Sequence, residues 1–156
     1  MSKNEDIQLK DIWPVIEEKL NLGGEVTINP GGISMKPLVI PKRDSVILKK
    51  PPEVLKKYDV ALYRRKSGQF VLHRVVGVKK DGYVMCGDNQ YLREYPITHD
   101  AVIAVLKTVI RKNKKIEVNS FSYKIYSRFW VALQRINGLI LKIRPILGKI
   151  KRKILR

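Results

Sequence analysis

No stretch of this 156-residue chain reaches the ~18–20 charge-free apolar residues that a membrane-spanning helix requires, so no transmembrane helix is expected. Cysteine is almost missing: Cys86 stands alone, which excludes an intrachain disulfide and any Cys-rich zinc site. Cys86 reads as a small buried hydrophobe, and a reduced, intracellular setting is the expectation. The opening MSKNEDIQLKD has no apolar core of the kind a secretory signal carries, so none is expected. Repeats and low-complexity tracts are missing as well.

Acidic residues are scarce in one place only. Residues 1–106 carry 17 basic and 13 acidic side chains, a net +4, whereas residues 107–156 carry 15 basic side chains against Glu117, a net +14. The whole-chain charge of +18 therefore describes the C-terminal third more than the protein. Two parts are expected: a β-domain over residues 1–118 and a basic amphipathic helical tail over residues 119–156.

Residues 11–22 read as a short helix, with Asp11 as N-cap, Pro14 in the first turn, and Ile12, Ile16 and Leu20 at spacing four. Gly23 is placed to end it. Short β-branched runs follow: Val26–Asn29, Ser45–Leu48, Asp59–Tyr63, Phe70–Val78, Tyr83–Cys86, Val102–Ile110 and Ile116–Val118. Asp81-Gly82 signals a tight hairpin. Many short strands without helices between them predict a mainly β fold, an antiparallel barrel or sandwich.

Three segments carry chemistry: Gly31-Gly32-Ile33-Ser34-Met35-Lys36-Pro37, Leu72-His73-Arg74-Val75-Val76 and Gly87-Asp88-Asn89. A serine in a glycine-rich turn, a strand histidine and a later carboxylate are the parts of a hydroxyl nucleophile with its base and orienter. Serine at its free pKa is a poor nucleophile, and a histidine titrating near neutrality suits the base. Each segment also has a plain reading, as a turn, a structural strand histidine and an ordinary Asp-Asn turn. His99 reads as an exposed loop histidine.

The order Ser-Met-x-Pro, an Asp-Val run, His-Arg-Val-Val and Gly-Asp-Asn resembles the signal peptidase I superfamily. More narrowly, it is similar to the branch of archaea, the endoplasmic reticulum and some Gram-positive bacteria that has histidine where ordinary bacterial members have a lysine base. The resemblance spans about residues 31–109. It implies Ser34 as nucleophile, His73 as general base, and a third carboxylate that is either Asp88 or Glu94. It also implies an oxyanion site from the backbone of Gly32, Ile33 and Ser34, a signal-peptidase-like β-fold, and no metal or organic cofactor. The implied substrate is a precursor or leader peptide, extended, with small side chains at the first and third positions before the cut. Arg43-Asp44 and Tyr58-Asp59 depart from the family, which has Gly-Asp at both places.

After Asn119 the period turns helical. Ile125, Phe129, Leu133, Ile136, Ile140, Ile143, Leu147, Ile150 and Ile154 recur at a mean spacing of about 3.6 residues and lie within an arc of roughly 100°. Lys and Arg mostly occupy the other side, and Pro145 divides the segment. The favoured reading is an in-plane anchor on an anionic membrane surface. Phe129, Trp130, Leu133, Ile136, Ile140, Ile143, Leu147 and Ile150 would face the lipid. The other readings are packing on protein and binding to nucleic acid, the latter disfavoured by so many bulky apolar residues on one face. As a whole the chain reads as a serine endopeptidase working peripherally at a membrane, on the cytoplasmic face. The alternatives are a catalytically idle binding module and a self-cleaving repressor-like peptidase. His73 in place of lysine, and only one short helix ahead of Ser34, count against the repressor.

Overall fold

The computed structural model describes residues 13–134. The first helix, α1 (Trp13–Asn21), buries Trp13, Ile16 and Leu20, the stripe expected from their spacing; Asp11 and Ile12 lie outside the described residues. It ends in a Schellman motif. Gly23 takes φ +79° and its N–H donates to the Leu20 carbonyl, while Gly24 N–H donates to that of Lys19.

Eight strands follow: β1 (Glu25–Ile28), β2 (Asp44–Lys49), β3 (Val60–Arg64), β4 (Phe70–Lys79), β5 (Gly82–Cys86), β6 (Glu94–Ile97), β7 (Val102–Arg111) and β8 (Lys114–Glu117). They form one antiparallel sheet in the order β1-β2-β7-β3-β4-β5-β6, with β8 pairing on β7. The fold is mainly β, as predicted. The barrel is not formed: β1 and β6 end the strand path without pairing to each other, so the sheet is not closed.

Two hairpins differ in detail from the sequence reading. The β4–β5 turn consists of Lys80 and Asp81, because Gly82 already pairs with Lys79. Glycine is required at 82 because a Cβ there would lie 2.6 Å from the Ile97 carbonyl oxygen. The β7–β8 turn is Lys112-Asn113, both at positive φ, the conformation that matches the sheet's twist in a two-residue hairpin.

Both faces of the sheet are covered. Val60 and Leu62 of β3 join α1, β1, β2 and β7 in one core cluster. The alternate residues Ala61 and Tyr63 join Val71, Val75, Tyr83 and Met85 in another. The period of two along a strand thus sends neighbouring residues into different surroundings. Residues 121–134 form a second helix, α2, whose Tyr123, Ser127, Val131 and Gln134 are buried. This first part of the expected tail is docked on the β-domain, so the boundary near residue 119 divides secondary structure and does not divide the packing.

Candidate functional site

A cleft of about 740 Å³ is lined by residues 27–35, by Leu62 and Arg65, by residues 69–73, and by Gln90. It brings Ser34 and His73 to one wall-to-wall space, although they are 39 positions apart in sequence. Gly31, Gly32 and Ile33 line it too. A Cβ on either glycine would meet nothing within 4 Å, so the absent side chains leave the approach to the serine open. Among the described residues no hydrogen bond engages the N–H of Gly32, Ile33 or Ser34, and none joins Ser34 Oγ to His73.

His73 is 2% exposed on β4, opposite Ala61 of β3, and Tyr63 lies diagonally from it on the same face. Two groups meet its Nδ1: the Tyr63 hydroxyl at 3.1 Å and Glu94 Oε1 at 3.3 Å. An ionised carboxylate only accepts hydrogen bonds, so Glu94 favours the proton on Nδ1 and leaves the Nε2 lone pair as the basic site. Desolvation lowers the His73 pKa, Glu94 raises it, Arg65 lowers it, and the net shift is downward. The imidazole is therefore neutral at neutral pH and able to accept a proton.

Glu94 is held in turn. Arg65 Nε donates to Glu94 Oε2 at 2.8 Å and Arg65 Nη2 donates to Oε1. This pairing, ahead of the Tyr63 hydrogen bond, keeps the Glu94 carboxyl below its ordinary pKa, against a smaller upward push from burial. Of the two carboxylates named as candidates, Glu94 is the one beside His73.

Asp88 has a different place. Both of its carboxylate oxygens accept from Arg74, Nε to Oδ1 and Nη2 to Oδ2, each at 2.7 Å, and both side chains are fully buried. Asp88, the other alternative for the carboxylate that orients His73, is thus taken up by Arg74. His73 and Arg74 are consecutive on β4 and point to opposite faces, so Asp88 pairs with the arginine on the far side of the strand from Glu94.

The Gly87-Asp88-Asn89 box nonetheless touches the serine. Asn89 N–H donates to the Ser34 carbonyl at 2.7 Å. Gly87 lies so close that a Cβ there would come within 2.7 Å of Ser34 O and 3.0 Å of Ser34 Cβ. Tyr58, where the resemblance has a glycine, keeps a left-handed φ of 84°, and its carbonyl accepts from Arg74 Nη1.

The tail residues divide. Phe129 is 62% exposed and Leu133 half-buried. Trp130, expected on the lipid-facing side, turns toward the β-domain. Its indole N–H donates to the Asp88 carbonyl at 2.7 Å, and its ring stacks on Tyr126. Ile136, Ile140, Ile143, Leu147 and Ile150 lie outside the described residues. No helix among the described residues is long and apolar enough to cross a membrane, and no cluster of three or more metal-ligating side chains occurs there.

Cys86 is buried, and burial raises its thiol to about 11, far from a thiolate at neutral pH. His99 is exposed, its Nδ1 3.1 Å from the Tyr83 hydroxyl. The sequence motifs do not point to Tyr63 or Arg65, and they include Arg74 without a role for it. Strand alternation could have put Tyr63 on a buried face, but only the β3–β4 register sets it beside His73. Comparison of the chain with protein-family models, with curated proteins and with solved structures finds no match.

Proposed function

We propose that the protein is a serine endopeptidase of the signal peptidase type, with the open sheet as its variant of that superfamily's β-fold. The observation that carries the reading is Ser34 and a buried His73 on one cleft, with His73 Nδ1 engaged by Glu94 and Tyr63. Ser34 Oγ attacks the scissile carbonyl carbon as His73 Nε2 takes its proton. The tetrahedral oxyanion is held by backbone N–H groups of the Gly32–Ser34 turn. Collapse breaks the C–N bond, and His73 returns the proton to the leaving amine. A water molecule then gives its proton to His73 and hydrolyses the acyl ester, restoring Ser34.

The substrate is a precursor or leader peptide in extended form. In support, residues 70–73 of β4 pair with β3 on one side only, because β5 begins pairing at Arg74. That free edge borders the cleft and can accept an added strand. Association with an anionic membrane surface at the cytoplasmic face completes the reading. Phe121, Ile125 and Phe129 are exposed at spacing four on α2, with Lys124 and Arg128 between them.

Labelling with a serine-directed fluorophosphonate tests the chemistry without knowledge of the substrate. The wild-type chain is expected to take up one probe at Ser34, and folded Ser34→Ala none. His73→Ala should react on the order of 10²–10⁴-fold more slowly. A wild-type chain that does not react, or a Ser34→Ala chain that reacts equally, overturns the proposal.

A further inference from the structure

Helix α2 turns a row of polar groups toward the Gly87-Asp88 turn. Trp130 Nε1–H donates to the Asp88 carbonyl and Gln134 Nε2–H to the Gly87 carbonyl, both at 2.7 Å. One helical turn earlier, Ser127 Oγ accepts from Arg74 Nη1 at 3.0 Å, and the Tyr126 hydroxyl donates to Asp88 Oδ2 at 3.2 Å. A helix that only covered apolar surface would present aliphatic side chains here. This one holds two successive backbone carbonyls of a single turn.

The same turn presses on the nucleophile from its other side. Its Asn89 N–H holds the Ser34 carbonyl, and Gly87 packs against the Ser34 backbone with no room for a side chain. The path from α2 to Ser34 therefore crosses one short turn, with hydrogen bonds of 2.7 Å at both ends. We infer that Trp130 and Gln134 are positioning residues for Ser34: through the Gly87–Asn89 turn they set where the serine sits relative to His73. This rests on the proposed Ser-His reading, in which small displacements of the nucleophile are costly in rate. It also makes α2 part of the reactive architecture, a role that a surface anchor alone does not require.

Trp130→Phe keeps a ring to stack on Tyr126 and removes one donor. Gln134→Leu keeps an apolar body of similar length and removes the other. In the full-length double variant, the limiting fluorophosphonate acylation rate per titrated site should fall about tenfold or more. The half-saturating probe concentration should stay within about twofold, because the cleft walls from β1 and β4 are untouched. The midpoint of the pH profile should also stay, since Tyr63, Glu94 and Arg65 still surround His73. Exchange of the Asn89 amide, followed by NMR, should quicken about tenfold as the turn loosens.

Unchanged acylation per site with unchanged Asn89 exchange overturns the inference, and so does a loss explained wholly by fewer titratable sites. If the wild-type chain takes up no probe, the peptidase reading fails, while Asn89 exchange still decides whether α2 holds the serine loop. Should the double variant not fold, Gln134→Leu alone carries the same measurements.

Discussion

His73 and Arg74 are neighbours on β4, and they face opposite electrostatic worlds. On the His73 side, Glu94 is partly exposed and is shared among Arg65, Tyr63 and the imidazole, while Arg65 and His73 themselves line the cleft. On the Arg74 side the ion pair itself is closed to solvent. Arg74 and Asp88 are both fully buried, and the remaining guanidinium donor meets the Tyr58 carbonyl, Ser127 and Tyr123. One carboxylate stands beside a histidine, and the other locks three segments together. The physical difference is solvent: a partly exposed charge can change partners, whereas a buried charge is tolerated only while every partner stays in place.

Breaking the buried side should show in stability. Arg74→Met leaves the Asp88 carboxylate buried without its partner, and about 3–5 kcal/mol should be lost in urea denaturation. Replacing both partners, Arg74→Met with Asp88→Leu, should recover a large part of that loss, because no uncompensated charge is then left inside.

Breaking the open side should show in rate. Glu94→Gln keeps the shape but not the charge, and acylation of Ser34 should fall on the order of 10²-fold with little change in the urea midpoint. Stability falling with rate in this variant would erase the contrast between the two sides. Tyr63→Phe removes a single hydroxyl from the same group, and roughly a tenfold fall in acylation rate with about 1 kcal/mol of stability is expected.

The pH dependence sharpens the same comparison. His73 must be neutral to accept the serine proton, and its pKa lies below the ordinary value of 6.5. Acylation should therefore persist somewhat below pH 6.5 and fail only as pH drops through the depressed pKa. Removing the lowering influence with Arg65→Gln should move that acid limb to higher pH. Glu94→Gln removes a raising influence and should move it lower. The linkage to folding has the same sign: stability from neutral His73 is present above the unfolded pKa and lost as pH falls through the folded one. The smallest effect expected is at Cys86, whose alkylation at pH 8 should be slow in the native chain and rapid in urea.

The strands were legible because β-branched runs bounded by turn residues mark them. Phe70–Val78 was read from β-branched spacing and is observed as Phe70–Lys79. Strand β6 was missed because Glu94–Ile97 is short, carries Pro96 and lies at the sheet's end, where one face and one edge need no apolar residues. The choice between Asp88 and Glu94 was not legible either. Both follow β5 within eight positions, and which of them reaches His73 depends on the course of the loop between β5 and β6.

Periodicity also gave the relative angles around α2 without the direction of its inner face. Phe129 and Trp130 differ by roughly 100° about the axis. The expected lipid-facing set joined them, and the Asp88 carbonyl, which takes the Trp130 N–H, separated them.

Local chemistry alone determined the strand-rich body, the helical period after Asn119, the segregation of charge, and the residue types a serine-histidine pair needs. Tertiary structure decided which carboxylate stands beside the histidine, which is locked to an arginine, and which side of α2 meets the protein. The physical reason is range. Propensity and alternation act over a few residues, whereas hydrogen-bond partners and burial are set by strands and loops that meet only after the chain has folded.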